Sequence, residues 1–193
     1  MIARTKISIV VAALAAIGAA TAFADGKGNG NSQGNDSGRT FATALVGYNE
    51  TPLTLNSPGE GTFKAAVSRD GTSISYTVSY TALSSPITQS HIHFGRPAIT
   101  GQIVLFLCTN LGNAPVTVPT PQPCPPGPAT ITGTLTAADV IERDTQGIDG
   151  GAAGFAEMIK AMRAGAAYAN VHTTTFPGGE IRGQILPQED DGD

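Results

Sequence analysis

The three histidines of this chain fall in two short segments, and they are the residues best placed to do chemistry. One segment reads Ser90-His91-Ile92-His93-Phe94-Gly95. The other reads Tyr168-Ala169-Asn170-Val171-His172-Thr173, closely followed by Gly178-Gly179-Glu180-Ile181-Arg182-Gly183-Gln184. His91 and His93 are two apart, so on a β-strand both rings point the same way. That is how two imidazoles are offered to one metal ion or one polar network. Imidazole is a common ligand for zinc and copper, and His91, His93 and His172 together would make a chemically sensible copper or zinc site. Alternatively, each ring donates one N–H and accepts at the other nitrogen, with Asn170, Glu180, Arg182 and Gln184 as the natural partners of a structural polar network. A third use, His with Glu180 as acid and base, lacks support from motifs. The chain has no G-x-S-x-G, no H-E-x-x-H and no phosphate-binding loop, so an enzyme is not expected.

These segments must be positioned by strands. Ile74, Tyr76, Val78 and Tyr80 alternate with Ser75, Thr77 and Ser79, the pattern of a half-buried antiparallel strand. Further strands are expected over residues 41–46, 61–68, 87–94, 102–107, 129–135, 167–173 and 180–186. Asp70-Gly71 signals a two-residue hairpin turn. The near-continuous apolar run Gln102 to Leu107 predicts burial on both faces. Thr136, with Asp139 three residues on, resembles a helix start. Phe155, Ile159 and Met162 recur at helical spacing and end at Gly165. The 24 Gly, 13 Pro and absence of Trp, with many short strands, fit an all-β sandwich or barrel. On the polar side of the last motif strands, Gln89, His91 and His93 share parity, as do Tyr168, Asn170 and His172, and Glu180, Arg182 and Gln184. If those strands are neighbours, three His, a Glu and an Arg gather on one surface.

Outside this region the chain reads as processing and solvation signals. Arg4 and Lys6, an apolar run from Ile7 to Ala20 and Ala22-Phe23-Ala24 form the pattern of a signal peptide over residues 1–24. The run is too short and Ala-rich for a comfortable membrane span, so none is expected in the mature chain. Residues 25–38 are almost all Gly, Asn, Ser and Asp, a flexible linker, and residues 188–193 form an acidic tail. The domain proper is expected over residues 39–187. The formal net charge is −4, and loss of Arg4 and Lys6 makes it more negative still. No basic cluster remains, which argues against nucleic acid or an anionic membrane surface as partner. Cys108 and Cys124 are the two cysteines. In an exported chain they read as a disulfide closing a Pro-rich excursion, worth on the order of 3 kcal/mol; two free thiols are the other reading.

Several of these stretches resemble the CHRD domain, named for chordin and found also in secreted bacterial proteins. They are His91-Ile92-His93-Phe94-Gly95 with Gly101-Gln102-Ile103-Val104, then Tyr168 to Thr173, then Pro177-Gly178-Gly179-Glu180-Ile181-Arg182-Gly183-Gln184-Ile185. Leu45-Val46-Gly47, Asn49-Glu50-Thr51-Pro52 and Gly59-Glu60-Gly61-Thr62 are similar too. The resemblance runs from about Phe41 to about Leu186. It implies an extracellular β-sandwich of immunoglobulin-like or superoxide-dismutase-like character and no general enzymatic role; with the residue pattern, the expected fold is an antiparallel β-sandwich with one or two short helices before the last two strands. The HxH pair also loosely resembles the copper ligands of copper-zinc superoxide dismutases, but the rest of that histidine set is missing, which argues against a dismutase. The expectation is a secreted or periplasmic, non-enzymatic binding or structural module with an unidentified protein or cell-surface partner. The alternative is a small copper- or zinc-binding protein.

Overall fold

The computed structural model describes residues 38–188. The expected signal peptide, the linker up to Ser37 and the acidic tail beyond Gln188 lie outside the described residues. The strands are β1 (Thr40–Val46), β2 (Glu60–Val67), β3 (Ser73–Thr81), β4 (Ile87–Phe94), β5 (Gln102–Thr109), β6 (Ala129–Thr136), β7 (Ala167–Thr173), β8 (Ile181–Gln184) and β9 (Leu186–Pro187), with one helix, α1 (Gly151–Arg163), before β7. Every pairing is antiparallel, and the hydrogen-bonded path runs β5-β4-β7-β8-β1-β2-β3-β6, with β9 on β1. The all-β expectation holds.

The path turns its corner at β8, which pairs with β7 over four residues but with β1 only at Val46↔Arg182. The two halves close on one core. Ile92, Leu105, Leu107, Ala169 and Val171 from one half pack in the same cluster as Phe41, Leu45, Phe63, Ile74, Val78 and Ile131 from the other. The far ends, β5 and β6, are not paired with each other. The Pro-rich excursion fills the gap between them: Thr109 N–H donates to Gln122 O (3.0 Å), and Gln122 Nε2 donates to Thr132 O (3.0 Å) and to the Tyr76 hydroxyl (2.8 Å). Tyr76 Oη donates in turn to Leu107 O at 2.7 Å, tying β3 to β5. The Cys108–Cys124 disulfide is formed and anchors this plug at the end of β5.

Helix α1 buries Phe155, Met158, Ile159 and Met162, the apolar stripe that its sequence spacing predicts. Three local expectations shift. The Asp70-Gly71 turn is wider than two residues, because Ser68 Oγ and Asp70 Oδ1 capture the backbone N–H groups of Thr72 and Ser73 before the ladder can. Thr136 and Asp139 do form a capping box, but over a single 3-10 turn rather than an α-helix. The final strand breaks at Ile185, whose N–H goes to Ala167 O, and Glu180 stays outside it.

Candidate functional site

β4 and β7 are buried on both faces. Their inward side is apolar, through Ile92, Ala169 and Val171. Their outward side is the polar row identified from parity, yet His91 is 0%, His93 7%, Asn170 2%, His172 5% and Arg182 3% exposed. The sequence suggests a surface; the fold makes a second, polar interior. Loops roof it. Thr51 comes from the β1–β2 connection, Arg96 to Gly101 from the β4–β5 connection, and Pro177 from the β7–β8 connection. Phe106 and Tyr168 are buried here but stand apart from the main core cluster. A register shift between Ser90 and His91 sets Phe106, not Leu107, opposite His91, and a second sets Ile103 opposite His93, a re-aiming that bulges commonly provide near functional sites.

Register explains the gathering. His91 is opposite Asn170, which is opposite Arg182; His93 is opposite Tyr168, which is opposite Gln184. One ring nitrogen from each of His91, His93 and His172 lies within 4.8 Å of the others. His93 Nδ1 meets Gly101 O (3.1 Å) and His172 Nδ1 meets Pro177 O (2.9 Å). A carbonyl only accepts, so both Nδ1 atoms carry the proton and both Nε2 atoms are bare lone pairs. His91 Nδ1 sits 3.2 Å from His172 Nε2 and therefore donates to it. His91 Nε2 and His93 Nε2 are buried with no hydrogen-bond partner. Gly101 is required for this arrangement, since a Cβ there would sit 1.8 Å from Phe94 O.

Burial holds the rings neutral. It pushes His93 down to about 3, against the opposing pull of the Gly101 carbonyl, with His172, Arg182 and Arg143 adding to the shift. It also drives His91 well below the ordinary imidazole value, helped by the two neighbouring histidines, and lowers His172 despite the Pro177 carbonyl. Neutral imidazoles are the ligand-competent form.

The residues expected to partner the rings serve the roof and the sheet instead. Arg182 stacks on Tyr168, its Cζ 3.4 Å from the ring centroid, and donates to Thr51 Oγ1 and to Ile99 O (2.9 Å). Gln184 Nε2 donates to the carbonyls of Gly95, Gly165 and Ala167. Glu180 does not join the histidines: it accepts from Ser57 Oγ, Ser84 N–H, Ser84 Oγ and Thr173 Oγ1. Burial raises its pKa, but these four bonds outweigh that and hold it below the usual value. Asn170 Nδ2 donates to Glu50 Oε1 at 2.7 Å. Glu50 is the residue that sequence reasoning missed. Burial lifts its carboxyl to about 7, against the field of Arg182. It comes from a loop with no periodicity, and Asn49-Glu50-Thr51-Pro52 was its one signal.

An all-β domain with a roofed polar layer is thus the class that fold and site define. The family model for the CHRD domain matches residues 41–185, and the chain belongs to that family. No curated protein and no solved structure matches it.

Proposed function

We propose that this chain is an exported, non-enzymatic CHRD module whose His91, His93 and His172 hold one transition-metal ion, copper or zinc. The observation that carries the reading is the pair of buried, unpartnered acceptors, His91 Nε2 and His93 Nε2, in a cluster of three neutral rings. Leaving buried acceptors bare costs about 1–3 kcal/mol for each; Asn170 Oδ1 and Gln184 Oε1 of the same layer are also bare, and what sets the two ring nitrogens apart is that they belong to one cluster of three imidazoles. Two ring N–H groups are committed to backbone carbonyls, the support that metal-binding histidines ordinarily have. Two nitrogens at about 2.1 Å from one tetrahedral ion stand roughly 3.4 Å apart, so the three rings, which offer nitrogens within 4.8 Å of one another, would draw closer on an ion.

Export is supported by the signal-like residues 1–24 and by the disulfide, which belongs to oxidising compartments. No helix among the described residues is long and apolar enough to cross a membrane. The module's partner is a protein or cell-surface component rather than nucleic acid, in keeping with its acidic balance. The test is elemental analysis of protein purified from its natural compartment beside a His91→Ala/His93→Ala/His172→Ala variant. About one metal per chain, lost in the variant, is expected; less than about one-tenth of that in both would end the metal reading.

A further inference from the structure

Granting the metal reading above, we infer that the ion is monovalent copper, Cu(I), held by three imidazole nitrogens alone. Three features of the site select it. The first is charge. No carboxylate or thiolate joins the three histidines among the described residues. Two guanidiniums lie close: Arg182 stacks on Tyr168, whose ring stacks on His93, and Arg143 Nε donates to Ile103 O, opposite His93 in the ladder, while the Glu50 carboxyl is bonded to Asn170 Nδ2. A dication placed there has neutral ligands, cationic neighbours and little water; the cost of burying charge grows steeply with its magnitude, and a single positive charge is the smallest a copper or zinc ion can carry.

The second is coordination number. Zinc(II) and copper(II) complete four or more positions, and a three-His site does so with water. The bare Nε2 atoms of His91 and His93 are sealed from solvent. A cleft of about 560 Å³ does open beside them, lined by Glu50, Thr51, Arg182 and Gln184, but none of the three histidines lines it. Cu(I), softer and with half the charge, is content with two or three nitrogen donors and no water. The third is the wall. Phe106 packs edge-on against His91 at 4.5 Å, and Tyr168 stacks on His93 at 4.6 Å. An apolar, aromatic enclosure favours the lower-charged ion and resists its oxidation to one that would need more ligands.

The experiment uses the folded, metal-free domain under anaerobic conditions. Cu(I) affinity is read by competition with bicinchoninate, Zn(II) and Cu(II) affinities by competition with chromophoric chelators, and the oxidation state of bound copper by X-ray absorption. One Cu(I) per chain is expected, bound at least about a hundredfold more tightly than Zn(II) or Cu(II). A ratio below that overturns the choice of ion and leaves the metal site standing; no stoichiometric binding of any of the three removes both. Arg143→Gln, at a residue outside the ligand set, narrows the Cu(I)-to-Zn(II) ratio several-fold. An unchanged ratio in that variant refutes the charge argument.

Discussion

Acid should unfold the metal-free domain through its histidines. Burial depresses His91, His93 and His172 in the folded state, with His93 taken from 6.5 to about 3. A group with a depressed folded pKa contributes stability above its unfolded value, here 6.5, and that contribution is lost as pH falls toward the folded value. Glu50 works the other way. Its carboxyl is raised from 4.5 to about 7, so its contribution is full below 4.5 and is lost as pH rises through 7. Between these limits the depressed imidazoles oppose one carboxylate, and the unfolded chain binds up to about two protons more than the folded one. Each proton corresponds to about 1.4 kcal/mol per pH unit, so stability should drop by up to about 3 kcal/mol for each unit below about pH 6. Against a typical reserve of about 5–15 kcal/mol, that places acid unfolding at about pH 4 for a reserve at the low end and at lower pH for a larger one. Urea unfolding followed by circular dichroism at successive pH values, in a strong chelator, measures the slope. A stability that changes by less than about 1 kcal/mol per unit between about pH 6 and pH 5 would refute the claim that burial keeps these rings neutral. Histidine ring proton shifts in NMR spectra give an independent check, with no titration of His91 or His93 expected before unfolding.

Glu50→Gln should remove the opposing trend: its stability relative to the parent rises with pH between 4.5 and about 7, as measured by paired urea titrations. Gly179→Ala should destabilise by about 2–4 kcal/mol: φ there is +128°, and a Cβ would lie 2.6 Å from Asn170 Nδ2 and 2.8 Å from the Glu50 carboxylate. A change under about 0.5 kcal/mol in the denaturation midpoint would mean that the roof yields freely. Opening the Cys108–Cys124 bond, by reduction or by Cys→Ser at both positions, should lower stability by about 3 kcal/mol and speed hydrogen exchange in β5 and β6, whose gap the tethered loop fills. Tyr76→Phe, which strips the hydroxyl linking β3 to Leu107 O and Gln122, should cost about 1–2 kcal/mol in the same assay.

Local pattern alone predicts a good deal of this protein. The strict alternation of β3 has a single solution, because its period of two allows only Ile74, Tyr76, Val78 and Tyr80 to face the core. The ranges expected for β4 and β7 coincide with those observed, since hydrophobic runs bounded by Pro, Gly and Ser leave few choices. Parity alone puts His91 with His93, and Asn170 with His172, on one strand face. The motif residues likewise identify the family.

Tertiary structure decided the rest, because each remaining feature depends on what lies on top of a strand. Whether His172 meets His91 follows from the order β4-β7-β8, which no local signal encodes. Burial of the polar row follows from roof loops that carry no periodicity, which is also why Glu50 stayed hidden. Glu180 shares its parity on paper with Arg182, yet it lies just before the ladder of β8 begins, so its carboxylate turns to Ser57, Ser84 and Thr173 instead. Sequence thus determined which side chains share a strand face; the packing of loops over that face determined that three of them become neutral, dry and adjacent, which is what gives the histidines their chemistry.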